Sequence, residues 1–100
     1  MSMELNEQKI EELKKKHKGV FLIECEGKQA LLRQPNRNDL SYAMTASGGG
    51  KDFVKMNEAY LNQLWIEGDE ELRSDDAYFF AVSEQLGELI QKKEAQLKKL

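Results

Sequence analysis

The chain has one cysteine, one proline, one histidine and one tryptophan in 100 residues. The single cysteine, Cys25, excludes an internal disulfide and fits a reducing compartment. The single histidine, His17, lies among Lys14, Lys15, Lys16 and Lys18. It has no neighbouring carboxylate to orient it as a base, nor the further ligands a metal centre needs. It reads instead as a helix C-terminal residue facing the helix dipole. No run approaches the roughly 18 apolar residues of a membrane span. The opening stretch, MSMELNEQKIEELKKK, is too charged for a signal peptide. The basic excess that a nucleic-acid backbone requires is also missing, because the net charge is -3 and the two signs are well mixed. The expectation is a soluble, cytoplasmic protein.

What the chain does contain is 40% hydrophobic and 33% charged residues, enough for one modest core and well-solvated helices. A single domain over residues 1–100 is expected. Residues 4–17 are rich in Glu, Lys, Leu and Gln, and Met3, Ile10, Leu13 and His17 fall near one face. This predicts an N-terminal helix within 1–18, ended by Gly19. Next, VFLIECEGKQALLR alternates around Glu26-Gly27 and predicts a β-hairpin with strands at 20–25 and 28–33, closed by Pro35.

A helical region over 36–100 follows. Asn36 and Asp39 have the spacing of a capping box, and the helix they open offers Leu40, Tyr42, Ala43, Met44 and Ala46 to a core. Asp52 caps a second helix over 53–66, with Phe53, Met56, Tyr60, Leu61, Leu64 and Trp65 near one face and Gly68 after it. Ser74 is read as the cap of a long last helix over 75–98, whose stripe is Phe79, Val82, Leu86, Leu89, Ile90, Leu97 and Leu100. Gly87 inside it is read as a place for close helix packing. The fold class is α+β: an N-terminal helix, one hairpin, then three helices.

Candidate chemistry is sparse. The stretch ASGGGKD at 46–52 invites a phosphate-loop reading. With Gly50-Lys51 on the G-K pair, Thr45 replaces the first glycine and Asp52 replaces the hydroxyl. The preceding segment also reads as helix where a strand is needed. The glycines are therefore read as a helix-ending joint. Cys25 reads as a small hydrophobe in a strand, and no serine has a Gly-x-Ser-x-Gly context. EGDEELRSDD (67–76) carries six carboxylates against one arginine but lacks the EF-hand order. It reads as a solvated loop and helix start, with a metal site as the alternative. Trp65 is a candidate interface anchor or a core residue. Leu89, Ile90, Leu97 and Leu100 form an apolar strip that outruns a small domain; either Met3, Ile10 and Leu13 of the first helix cover it or, the favoured reading, a partner helix or a second copy does.

One resemblance adds to this. The stretch from Phe21 to Leu72 has the form of a short hairpin followed by a helical region, marked by Gly27-Lys28, Leu32-Arg33, Pro35, Arg37 and Leu40. After it come SYAMTASGGGKD, WIEGDEEL and QLGELIQKKEAQLKKL. Over roughly residues 17–100 it resembles small proteins of tailed phages and prophages that are similar to tail assembly chaperones. The resemblance implies a non-enzymatic protein without cofactor, in the cytoplasm of a bacterial host. It also implies binding to the long helical tape-measure protein of the tail, and self-association. A structural homo-oligomer of the phage particle is the alternative, and a small metal-binding protein ranks last.

Overall fold

The computed structural model describes residues 6–89 and 95–100. It has the α+β architecture expected, with five helices and a three-stranded antiparallel sheet among those residues. The elements are α1 (Glu7–Lys16), β1 (Val20–Cys25), β2 (Lys28–Arg33), α2 (Arg37–Ala46), α3 (Phe53–Leu64), β3 (Trp65–Gly68), α4 (Glu71–Ser74) and α5 (Asp76–Leu89).

The hairpin falls where the alternation puts it. Cys25 pairs with Lys28 across a two-residue turn in which Glu26 (φ 49°) and Gly27 (φ 79°) are both left-handed, as the twist of a tight hairpin demands. Phe21, Ile23 and Cys25 on β1, with Ala30 and Leu32 on β2, point into the main core. That core also takes Ala43 from α2, Tyr60, Leu61 and Leu64 from α3, Leu72 from α4, and Phe79, Val82, Leu86 and Leu89 from α5. Leu31 points the other way, and it is only 3% exposed. The helix α1 packs on β1, and its Lys9 pairs with Glu67, the β3 residue opposite Leu31. A helix that touches both edge strands crosses the second face of the sheet, so the sheet lies between α1 and the remaining helices.

Five sequence expectations are corrected. The helix 53–66 stops at Leu64, and Trp65–Gly68 turns into a third strand on the far side of β2. Gly68 is accordingly not a helix stop. A β-carbon there would lie 2.4 Å from Ala30 Cα and 2.6 Å from the Gln29 carbonyl oxygen, so only glycine lets β3 close on β2. Ser74 ends the added short helix α4, and the cap of α5 is Asp75, whose Oδ1 accepts from the amides of Ala77 (3.0 Å) and Tyr78 (3.3 Å). The last helix was expected to reach residue 98, but residues 95–100 have no regular structure. Within α5, Gly87 faces open space instead of a packed helix.

The two middle helices are also less buried than their apolar content predicts. On α2, Asp39 and Ala43 are buried, while Leu40, Tyr42 and Met44 are exposed. Phe53, expected on the inward face of α3, is 70% exposed. Tyr60, Leu61 and Leu64 are buried as expected, and Met56 packs partly against the core. Met3 lies outside the described residues.

Candidate protein-interaction surface

The helices α2 and α3 form an antiparallel arm joined by the glycine stretch. Its lower end is fixed by polar groups. Asn36 Oδ1 accepts from the Asp39 amide (3.1 Å), and Asp39 Oδ2 accepts from the Asn36 amide (2.8 Å), completing the capping box. Asp39 also receives two bonds from the Arg33 guanidinium, one on each carboxylate oxygen, both 2.7 Å. This bidentate pair ties the end of β2 to the start of α2. Asp39 is 3% exposed, so its charge depends on these donors. The hydrogen bonds from Arg33 hold its carboxyl below the ordinary carboxylate range against the opposing effect of burial, and they raise Arg33 in return. Burial, and then the Asp39 charge, push the Tyr60 phenol up. Sequence reading found the capping box but not the Arg33 partner, since nothing local links Arg33 to Asp39 until the strand end and helix start are placed side by side.

The upper end of the arm is the glycine joint. Gly48, Gly49 and Gly50 take φ values of 64°, 82° and 88°, a left-handed run that only glycine adopts without strain. Their amides are committed to the cap. Gly48 donates to Thr45 O (3.2 Å), Gly49 to Met44 O (2.7 Å) and Gly50 to Ser47 Oγ (2.9 Å). Ser47 is 3% exposed, its hydroxyl donates to Met44 O, and its carbonyl accepts from Asp52. The amides that would cradle a phosphate are turned inward. Asp52 Oδ1 then accepts from Lys55 (3.1 Å) and starts α3 as expected.

Between these ends the arm displays apolar side chains to solvent. Of the seven large hydrophobic residues exposed within 6–89, five are on it: Leu40, Tyr42, Met44, Phe53 and Val54. The helices are held by their buried side, so these residues contribute little to the core. This surface was missed from sequence because its residues also fit an inward stripe.

The sequence-derived interface residues are scattered. Trp65 sits in β3, half-buried against the core, with the Arg73 guanidinium 4.1 Å over its ring. Arg73 is held in turn by Glu70 and by Asn62 Oδ1 (3.3 Å). Leu89 is 9% exposed and belongs to the core. Leu97 and Leu100 are fully exposed in a segment that is not helical, so they do not extend the α5 stripe. Ile90 lies outside the described residues.

The other candidates have local partners. Asp69 Oδ2 accepts from the Gln29 amide (2.8 Å) while its own amide donates to Gln29 O (2.8 Å). Glu71 pairs with Lys28 at 3.4 Å and Glu70 with Arg73. With Glu67 paired to Lys9 and Asp75 capping α5, five of the six acidic residues in this run do structural work. His17 is the C-cap of α1, its amide donating to Leu13 O. Cys25 is half-buried in β1. No helix among the described residues is long and apolar enough to cross a membrane.

Comparison of the chain with protein-family models, with curated proteins and with solved structures gave no match.

Proposed function

We propose that the protein is a non-enzymatic binding module of the tail-assembly-chaperone type, acting in the cytoplasm of a phage-infected or lysogenic bacterial host. Its partner is the helical tape-measure protein of the tail. The observation that carries this reading is the α2–α3 arm, where Leu40, Tyr42, Met44, Phe53 and Val54 are exposed on a scaffold fixed at both ends by polar contacts. Exposed apolar side chains on a rigid helical pair suit the apolar face of an amphipathic helix. The resemblance of residues 17–100 to small tail-region proteins supplies the identity of that helix.

Co-expression with a tailed-phage tape-measure protein, followed by affinity capture and light scattering, tests the reading. A soluble complex is expected, with the partner insoluble or degraded when expressed alone. No complex, together with a stable homo-oligomer of this chain, would favour the structural-component reading instead.

A further inference from the structure

The two edges of the sheet differ in what they leave open. In the β1–β2 ladder Cys25 pairs with Lys28 across the tight turn, and the Gln34 amide donates to Gly19 O (2.9 Å) at the other end. In an antiparallel ladder, hydrogen-bonded and non-bonded pairs alternate. Gly19, Phe21, Ile23 and Cys25 therefore direct their backbone groups toward β2, and Val20, Leu22 and Glu24 direct theirs outward. β1 is the terminal strand of the sheet, it is six residues long, and its register is unbroken. Among the described residues these outward groups have no backbone partner.

Beside this edge runs a continuous groove between β1 and α5. Its floor is apolar, formed by Phe21, Ile23 and Cys25 on the strand and Ala81, Val82 and Leu89 on the helix. Its rim is acidic, with Glu84 and Glu88 from α5 on one side and Glu24 and Glu26 from the strand edge and turn on the other. No lysine or arginine lines it among the described residues.

We propose that the free edge of β1, together with α5, is a strand-addition site for an extended segment in which apolar residues alternate with lysine or arginine. The segment's backbone pairs with Val20, Leu22 and Glu24. Side chains of an added strand alternate between the two faces of the sheet, so the basic ones lie on the α5 side, their aliphatic stems over Phe21 and Ile23 and their charged ends at Glu84 and Glu88, while the apolar ones pack on the other face beside Val20 and the exposed Leu22. Charge selects this occupant over a second copy of β1, which carries Glu24 and no lysine or arginine to meet the α5 carboxylates. The site is separate from the α2–α3 arm, so it can fail while the tail-protein reading stands, and the reverse.

The probe is the fluorescein-labelled peptide Ac-KVKVKV-NH2, followed by anisotropy, with Ac-EVEVEV-NH2 as its control. Saturable binding of the basic peptide is expected, at least tenfold weaker at 500 mM than at 50 mM NaCl, and at least tenfold tighter than that of the acidic one. On binding, amide exchange at Leu22 and Glu24 should slow at least tenfold, while Ile23, already in the ladder, changes little. Leu22→Pro removes an outward amide without touching the β2 ladder, and it should weaken binding at least tenfold. Should that variant unfold, Glu84→Lys with Glu88→Lys decides, and it should reverse the preference between the two peptides. No saturable binding, equal binding of both peptides, or protection at Ile23 in place of Leu22 and Glu24 would overturn the proposal. So would a dimer whose dissociation follows Glu24→Lys.

Discussion

The third strand and the α2–α3 arm are both short additions to the hairpin core, yet they are held in opposite ways. Three of the four residues of β3 are engaged, as is Asp69 just after it. Trp65 lies under Arg73, Glu67 pairs with Lys9, Gly68 lies against the backbone of Ala30, and Asp69 exchanges two bonds with Gln29. Ile66 is the extra residue of a bulge, since Leu31 pairs with Glu67 and Leu32 with Trp65. A short, bulged strand of this kind resists further pairing. The arm is clamped at its two ends by Asp39 and Ser47 and leaves apolar side chains outside. The difference separates residues that hold the fold from residues that are free to bind. Substitutions in the first set should cost stability, and those in the second should cost only association.

The largest loss is expected from Asp39→Ala. It removes one partner of a buried bidentate pair and half of a capping box, and leaves Arg33 unpaired at about 3–5 kcal/mol. Urea unfolding would read this as a lower midpoint. The pH dependence has a definite sign. The folded Asp39 carboxyl titrates below its unfolded value, so its contribution is complete above the ordinary carboxylate range, near 3.9. It is lost as the pH falls through the folded pKa. The Asp39→Ala variant should therefore lose less stability than the parent on acidification from pH 5 to pH 2. An equal loss in both would show that other carboxylates govern acid unfolding.

Gly68→Ala comes next. A methyl group 2.4 Å from Ala30 Cα meets backbone that cannot step aside. The cost should reach about 3 kcal/mol, the upper end of the range for overpacking. A melting temperature unchanged by Gly68→Ala would mean that β3 is not seated on β2. Asp52→Ala should cost about 1 kcal/mol, the usual value of an N-cap, because it removes the acceptor for the Lys55 amide. Lys51→Ala should change the unfolding free energy by less than about 0.5 kcal/mol, as expected for an exposed residue with no side-chain partner among the described residues. Saturable nucleotide binding abolished by that substitution would restore the phosphate-loop reading.

What was legible in the sequence was local. The hairpin, the Asn36–Asp39 box and the Asp52 cap all lie within a few residues of their own partners, and each is found at its expected position. The α5 residues Phe79, Val82, Leu86 and Leu89 recur at helical spacing and are buried as that spacing requires. Residues 65–75 were misread because their partners are distant. Trp65 continues the helical phase of Leu61 and Leu64, and only the pairing of Gly68 with Ala30 takes it out of the helix. Leu97 and Leu100 failed as a stripe for a different reason. Leu97 keeps the helical phase of Ile90, but the positions between them that would continue the stripe, Lys93 and Glu94, are charged, so phase alone gives Leu97 and Leu100 no packed face. The candidate interface was the least legible part. An apolar residue at helical spacing is the same signal whether a helix buries it or displays it, as Phe53 and Leu61 show on α3.

The separation of fold from binding is tested most directly by one variant carrying Leu40→Gln, Phe53→Glu and Val54→Glu. The two new carboxylates fall in the first turn of α3, where the helix dipole favours them. The melting temperature should move by no more than about 5 °C, while capture of the co-expressed tape-measure protein is lost. A variant that melts far lower, or one that keeps its fold and still captures the partner at the parent level, would contradict the assignment of the α2–α3 arm as the binding surface.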